Sequence, residues 1–126
     1  MKIEHIALWA KDIDILRQFY ETHFGAVAGE RYRNERKGFQ SYFLTFADGA
    51  RLELMQRTDV NSGATSEQYG YAHIALSLGS EAAVDEMTEQ FRQLGVPILD
   101  GPRWTGDGYY ESVILDPEQN RIELTV

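Results

Sequence analysis

His-Ile-Ala-Leu occurs at residues 5–8 and again, letter for letter, at residues 73–76. Each copy is followed by a second near-repeat that carries a glutamate, Arg-Leu-Glu-Leu at 51–54 and Arg-Ile-Glu-Leu at 121–124. The two histidines are 68 residues apart (5 to 73), and the two glutamates are 70 residues apart (53 to 123). The 126-residue chain is therefore predicted to use one structural unit twice, with one His and one Glu in each unit.

The composition excludes several classes of protein. A net charge of −8 argues against a nucleic-acid partner, because phosphate binding needs clustered Lys and Arg. No apolar run approaches the ~20 residues of a membrane span, and residues 1–5 place an acid and an imidazole where a signal peptide would be apolar. The chain has no cysteine, hence no disulfide, thiolate nucleophile or Cys-type zinc site. We expect a cytoplasmic protein without a membrane partner, in which His and carboxylates hold any metal.

The hydrophobic pattern predicts a strand, a helix and three strands in each half. Asp12 or Asp14 is expected to cap the first helix and Ser80 the second, with Gly25 and Gly95 at their ends. Residues 34–38 read as a charged, mobile turn, and Asp48-Gly49 is a hairpin signal. The predicted strands are 3–10, 26–33, 39–46 and 51–56 in the first half and 71–78, 96–99, 109–115 and 121–126 in the second, with residues 3–10 buried on both faces.

The predicted fold class is α+β, with two βαβββ modules as paired half-barrels in one domain of residues 1–126. Module one covers residues 1–57 and module two covers residues 70–126. Residues 58–69, which are polar and rich in small side chains, form the linker between them.

The repeated His and Glu are candidate metal ligands because side chains alternate between the two faces of a strand. In each module they point away from their apolar neighbours, so two modules side by side bring four ligands together. Neutral imidazoles and carboxylates suit Zn, Ni, Co, Mn and Fe(II), and two carboxylates neutralise a divalent ion. The alternative is that the glutamates are ordinary polar residues of half-exposed strands. His23 has no counterpart in the repeat and is expected to be a surface or structural residue. The predicted ligands are His5, Glu53, His73 and Glu123.

Residues 71–77 and 116–124, together with the repeated His and Glu, resemble signature segments of the vicinal oxygen chelate superfamily. This superfamily includes glyoxalase I, fosfomycin-resistance proteins, extradiol dioxygenases, methylmalonyl-CoA epimerase and bleomycin-resistance proteins, and the resemblance covers the whole chain. The order His, Glu, His, Glu is that of glyoxalase I. Extradiol dioxygenases keep two His and one carboxylate, the epimerase has Gln at the position of Glu53, and bleomycin-binding members generally lack ligands. The resemblance implies one divalent ion per site, Zn or Ni.

The resemblance to glyoxalase I implies a lactoylglutathione lyase-like enzyme, which isomerises the hemithioacetal of methylglyoxal and glutathione. The metal would bind two vicinal oxygens of a small-molecule substrate, and Glu123 or Glu53 would move a proton between the adjacent carbons. Two other functions stay open. One is a metal-dependent thiol transferase of the fosfomycin-resistance type, and the other is a non-catalytic ligand-binding protein of the bleomycin-resistance type.

The expected substrate contacts depart from the glyoxalase I pattern. In that enzyme an Arg four residues after the first ligand and an Asn four residues after the second hold the γ-glutamyl end of glutathione. Trp9 and Arg57 stand at these positions here, so a different thiol or a small oxygenated substrate is equally compatible. Trp104 and Tyr109 flank Gly106-Asp107-Gly108, which forms either a lid over the pocket or an exposed hairpin tip.

A homodimer is expected, because small members of the resembled family commonly form two-fold dimers with both sites at the subunit contact. In the arrangement that we favour, His5 and Glu53 come from one subunit and His73 and Glu123 come from the other. The alternative is that each chain builds its own site.

Overall fold

A strand, a helix and a set of antiparallel strands follow one another in the same order in both halves of the chain. The structure, a computed structural model, describes residues 1–62 and 69–126. It divides into two units, Met1–Gly63 and Ala64–Val126. The α+β fold with two βαβββ modules is confirmed. Half of the predicted linker, residues 63–68, lies outside the described residues.

The first unit contains one sheet and one helix. Its elements are β1 (His5–Trp9), α1 (Ile13–Phe24), β2 (Val27–Ala28), β3 (Tyr32–Asn34), a 3-10 turn (Glu35–Lys37), β4 (Phe39–Thr45) and β5 (Arg51–Arg57). The strand order is β1-β5-β4-β2, and β3 also pairs with β4. β1 is parallel to β5, whereas the other pairings are antiparallel.

The second unit repeats this topology with fewer interruptions. Its elements are β6 (Ile74–Ser77), α2 (Glu81–Gln93), β7 (Ile98–Trp104), β8 (Tyr110–Leu115) and β9 (Arg121–Thr125). The strand order is β6-β9-β8-β7, with β6 parallel to β9 and the remaining pairs antiparallel. In both units the strand at the repeated histidine therefore lies beside the strand with the repeated glutamate.

Side-chain caps and apolar faces fix the helices against their sheets. The Asp12 carboxylate accepts hydrogen bonds from the backbone N–H groups of Asp14 and Ile15, so Asp12 is the N-cap of α1. Ser80 caps α2 in the same way through the N–H of Ala83. Neither helix in the described ranges is long and apolar enough to cross a bilayer. The buried apolar residues include Ile13, Leu16, Tyr20, Leu44, Leu52 and Leu54 in the first unit and Val84, Phe91, Ile114, Ile122 and Leu124 in the second.

Several predicted elements differ from the structure in the first unit. β1 is not buried on both faces, because His5, Ala7 and Trp9 are exposed and only the alternate residues are shielded. The predicted strand 26–33 is broken into two short strands, β2 and β3. The predicted mobile turn 34–38 is a capped 3-10 turn, since the Asn34 side chain accepts a hydrogen bond from the N–H of Lys37.

In the second unit, the predicted strand 96–99 is too short, and the predicted strand 71–78 is too long. β7 runs from Ile98 to Trp104, through Asp100-Gly101-Pro102, which reads as a turn in sequence. Register shifts between β7 and β8 accommodate these residues. β6 covers only Ile74–Ser77.

We expect Gly101→Ala to lower the free energy of unfolding by about 2–4 kcal/mol. Gly101 has a φ of 77°, and an added Cβ would lie 2.5 Å from the carbonyl oxygen of Glu111 and 2.9 Å from Cα of Ser112. Backbone atoms of β8 cannot move aside without breaking the β7–β8 ladder. The measurement is urea denaturation followed by circular dichroism.

Gly106→Ala, in the neighbouring hairpin turn, is the matched control. No atom lies within 4 Å of its added Cβ, and its φ is not in the left-handed region. Equal loss of stability in the two variants would contradict the proposed clash.

Candidate metal centre

The first unit brings His5 and Glu53 together through strand register. β1 and β5 pair in parallel with Ala7 opposite Glu53, so His5 lies one pleat away on the same face. Nε2 of His5 is 3.9 Å from Oε2 of Glu53. The imidazole also contacts the Phe43 ring edge to face, with centroids 5.2 Å apart. One imidazole and one carboxylate therefore face each other beside an aromatic wall.

The second unit brings His73 and Glu123 together in the same way. Ala75 is opposite Glu123 in the parallel β6–β9 pair, and His73 immediately precedes β6. Nε2 of His73 is 3.1 Å from Oε2 of Glu123. The exposed fractions also repeat, at 40% and 41% for the histidine side chains and 15% and 20% for the glutamates. Each pair thus combines a shielded carboxylate with an accessible imidazole.

The structure groups the four predicted ligands into two pairs. His5 is with Glu53 and His73 is with Glu123, and each pair lies inside its own unit. Among residues 1–62 and 69–126, no group of three or more His, Asp or Glu side chains is arranged to hold a metal ion. The four-residue site stays a prediction. The donors themselves fit a divalent ion, since imidazole nitrogen and carboxylate oxygen are the ligands that such ions take in proteins without cysteine.

Glu4 orients His5 and was missed by sequence reasoning. Its Oε2 is 2.5 Å from Nδ1 of His5, and its Oε1 accepts a hydrogen bond from Nε of Arg51 at 2.8 Å. These hydrogen bonds, first to His5 and then to Arg51, lower the pKa of Glu4. Because a carboxylate can only accept, Nδ1 of His5 carries the proton of this hydrogen bond, and Nε2 is the ring nitrogen on the side of Glu53 that a metal ion could use. The residue before His73 is Ala72, so the equivalent position of the second unit carries no carboxylate.

A second carboxyl group, Glu111, interacts with the His73–Glu123 pair and was also missed by sequence reasoning. Its side chain is 12% exposed, and Nη1 of Arg103 lies 3.7 Å from its Oε1. Burial, and then the charge of Glu123, raise the pKa of Glu111, and the charge of Arg103 opposes this. In the first unit the position that corresponds through strand pairing is Ser41, so the repeat gave no signal for an acid here.

The predicted substrate contacts fall into two places. In the first unit Arg57 lies over the Trp9 ring, with 4.9 Å from Cζ to the centroid, and its Nε is 2.5 Å from Oδ1 of Asp59. In the second unit Trp104 and Tyr109 are exposed at a hairpin turn, which the backbone N–H of Thr105 closes on the carbonyl of Tyr109. This stretch is an exposed hairpin turn, and its role as a lid stays a prediction.

His23, which was expected to be at the surface or structural, belongs to α1. It is half-buried on α1, with its ring centroid 5.0 Å from that of Phe19. Burial lowers its pKa.

A family model places these features among known proteins. The Glyoxalase/Bleomycin resistance protein/Dioxygenase superfamily matches residues 2–124. The chain belongs to this superfamily. No curated protein sequence matches the chain.

Solved structures share the superfamily fold with the chain. The trypanothione-dependent glyoxalase I of Leishmania major is 23% identical, with a TM-score of 0.79, over 99% of this chain and 86% of that one. A possible glyoxalase from Bacillus cereus is 24% identical, with a TM-score of 0.74, over 100% and 99%. The genomically encoded fosfomycin resistance protein of Listeria monocytogenes is 22% identical, with a TM-score of 0.73, over 98% and 89%. At these identities the likeness concerns the fold.

We expect Arg103→Gln to raise the pKa of Glu111 further. The guanidinium lowers this pKa through its positive charge, so its loss leaves only the smaller effect of His73 to oppose burial and the charge of Glu123. The measurement is a pH titration of the glutamate side-chain carboxyl carbons by NMR, in protein kept metal-free with a chelator. Arg92→Gln, on the exposed side of α2, is the control and should leave Glu111 unchanged. A pKa of Glu111 that falls in the Arg103 variant would contradict this assignment.

Proposed function

We propose that the chain is a metal-dependent isomerase or lyase of the glyoxalase I type, acting on a small substrate with two adjacent oxygens. The observation that carries the proposal is the His–Glu pair that strand register repeats in both units. Superfamily membership supports it, because this fold supplies glyoxalases among other activities. The alternatives, thiol transfer and non-catalytic ligand binding, use the same scaffold, and a scaffold alone does not fix a reaction.

The ligands of the proposed ion are His5, Glu53, His73 and Glu123, with Zn or Ni as the metal. Two carboxylates and two neutral imidazoles balance the charge of a divalent ion, which lowers the cost of its burial. Such an ion supplies Lewis-acid polarisation of the two substrate oxygens.

Side chains of the protein orient the His5 ring and transfer the proton. Glu4 holds the His5 ring through Nδ1, and Phe43 packs against that ring with the two ring planes nearly perpendicular. One carboxylate, Glu123 or Glu53, takes a proton from one carbon of the substrate and returns it to the adjacent carbon, while the hydroxyl proton of the substrate passes to the neighbouring oxygen. Proton return needs no external acid, because the same carboxyl group carries the proton throughout.

Glu53→Gln and Glu123→Gln should each weaken metal binding by at least ~10-fold while the fold persists. The amide keeps the shape of the side chain but removes the negative charge that the ion needs. Calorimetric titration with Zn²⁺ and Ni²⁺ measures the affinity, and thermal denaturation of chelated protein checks the fold. Glu86→Gln, an exposed position on α2, serves as the control.

Two results would count against this prediction. Unchanged affinity in both variants would remove the glutamates from the ligand set. Unfolding on chelation would make the ion structural instead of catalytic. A hemithioacetal isomerisation assay with several thiols then separates the isomerase from the alternatives. An isomerase converts the hemithioacetal, and a transferase consumes its thiol. A binding protein converts neither the hemithioacetal nor the thiol.

We propose that the protein is a cytoplasmic homodimer and that each site takes one pair from each subunit. One unit offers only two ligands, too few for a closed site, and a two-fold pairing of identical chains completes two sites at once. In this arrangement His5 and Glu53 of one subunit face His73 and Glu123 of the other.

Mixing two defective chains tests this arrangement. In a heterodimer of a His5→Ala chain and a Glu123→Ala chain, both lesions fall in one cross-chain site and the other site is intact. We expect about half of the wild-type metal content per dimer, measured on a heterodimer purified by two different affinity tags. The two homodimeric parents are the controls. Absence of metal binding from the verified heterodimer would show that each chain builds its own site.

A further inference from the structure

A cavity of about 260 Å³ lies in the first unit, at the far end of β5 from the start of β1. Its lining residues are Tyr32, Asn34, Lys37, Phe39 and Arg57. Two of the five are cations, two are aromatic and one is an amide, and none of them is a carboxylate. Asp59 balances one of the cations through Nε of Arg57. The lining therefore has an excess of positive charge beside flat apolar surface, in a chain with a net charge of −8.

The backbone around this cavity is fixed by specific contacts. The Asn34 side chain accepts from the N–H of Lys37 at 3.1 Å, which closes the 3-10 turn. Gly38, with a φ of 56°, follows the turn, and a Cβ there would lie 2.5 Å from Oγ1 of Thr58. The N–H of Thr58 donates to the carbonyl of Gly38 at 3.2 Å. The left-handed φ of Gly38 favours glycine here, and the hydrogen bond ties the turn that carries Lys37 to the end of the strand that carries Arg57.

Aromatic rings line one side of the cavity and continue towards β1. The Tyr32 and Phe39 centroids are 6.0 Å apart, and those of Phe39 and Trp9 are 6.3 Å apart. Cζ of Arg57 lies 4.9 Å from the centroid of the Trp9 ring, a cation–π distance, so this cation belongs to the same surface as the rings. Such a wall accepts the flat or apolar body of a ligand while the cations accept its charged end.

The strand register relates the cavity to the His5–Glu53 pair. Arg57 and Glu53 are four residues apart on β5 and share a face, a separation of roughly 13 Å along an extended strand. Met55 lies between them on that face, with Trp9 opposite it and Ala7 opposite Glu53. The surface between the pair and the cavity is therefore mainly apolar.

We propose that this cavity is an anion-binding subsite, which takes the carboxylate or phosphate end of a ligand with an apolar or aromatic body. The anion binding rests on the cavity alone. The further statement, that the oxygenated end of the same ligand lies at His5 and Glu53, rests on the proposed function. Lys37 and Arg57 together favour an anion without a neighbouring ammonium group, because an ammonium beside them would be repelled.

Binding of phenyl phosphate and of benzoate to metal-free protein tests the subsite directly. Backbone amide shifts by NMR should move at Lys37, Phe39 and Arg57, while benzyl alcohol, the neutral analogue, leaves them in place. Lys37→Gln should weaken binding of the anions roughly fivefold. Arg36→Gln is the matched control, since Arg36 is the adjacent cation in the same turn and does not line the cavity. The affinity of the Arg36→Gln variant for phenyl phosphate and benzoate should stay within about twofold of wild type.

Three results would overturn the subsite: no amide shifts at these positions, equal binding of benzyl alcohol, or equal loss of affinity in the two variants. The relative affinities of phenyl phosphate and benzoate identify which anion the cavity prefers. These titrations contain no metal, so they decide the subsite even where the proposed isomerase activity is absent.

A second measurement, on metal-loaded protein, tests the link to the His–Glu pair. Lys37→Gln should raise KM for anionic substrates roughly fivefold and leave kcat, and KM for neutral substrates, unchanged. An unchanged KM with weakened phenyl phosphate binding would overturn the link and leave the anion subsite standing.

Discussion

Parallel pairing between the first and last strands of each unit is the constraint on which the candidate site depends. With Ala7 opposite Glu53 and Ala75 opposite Glu123, the histidine near the start of each unit reaches a carboxylate almost fifty residues further along the chain. Parallel neighbours need a crossover connection, which a tight turn cannot provide. The helix and the antiparallel strands between them supply that connection, so the entire βαβββ unit serves to bring one imidazole to one carboxylate.

The two pairs share their backbone geometry but differ in their surroundings. His5 is held by Glu4, which Arg51 in turn holds, and is covered by Phe43. The Glu123 pair instead has Glu111, whose pKa is raised, and Arg103 beyond it. One half is thus built to orient an imidazole, and the other places a carboxyl group of altered acidity near a carboxylate. Equivalent ligands in such different electrostatic environments do not share proton chemistry equally.

The sequence was sufficient for the features that repeat or that follow a strict period. The duplicated tetrapeptide gave the two units, and helical spacing with caps at Asp12 and Ser80 gave both helices. Strand alternation predicted that the His and Glu of each unit share a face, and they form the two pairs of the structure. Features that depend on long-range contacts and have no local sequence signal were not predicted. β7 continues through Asp100-Gly101-Pro102 because β8 pairs with it despite turn-forming residues, and tertiary pairing overrides local propensity there.

The site residues that were missed have a common origin. Glu4 acquires its role from Arg51, 47 residues away, and Glu111 acquires its raised pKa from burial and from Glu123. Neither has a counterpart in the other unit, so the internal repeat could not reveal them. A sequence repeat shows what both halves retain, whereas the residues that distinguish the halves become visible only through contacts in the fold.

Strand register has a consequence for how such a protein diversifies. Because backbone pairing positions the histidine and the glutamate, side chains around them can change without displacing either ligand. In a chain that uses one unit twice, substitutions at positions such as 4, 43, 103 and 111 alter the surroundings of one ligand pair without moving the ligands of either pair. The position of a ligand thus depends on backbone pairing, whereas its chemistry depends on the side chains around it. Selection can therefore change the chemistry of each half without changing the position of its ligands.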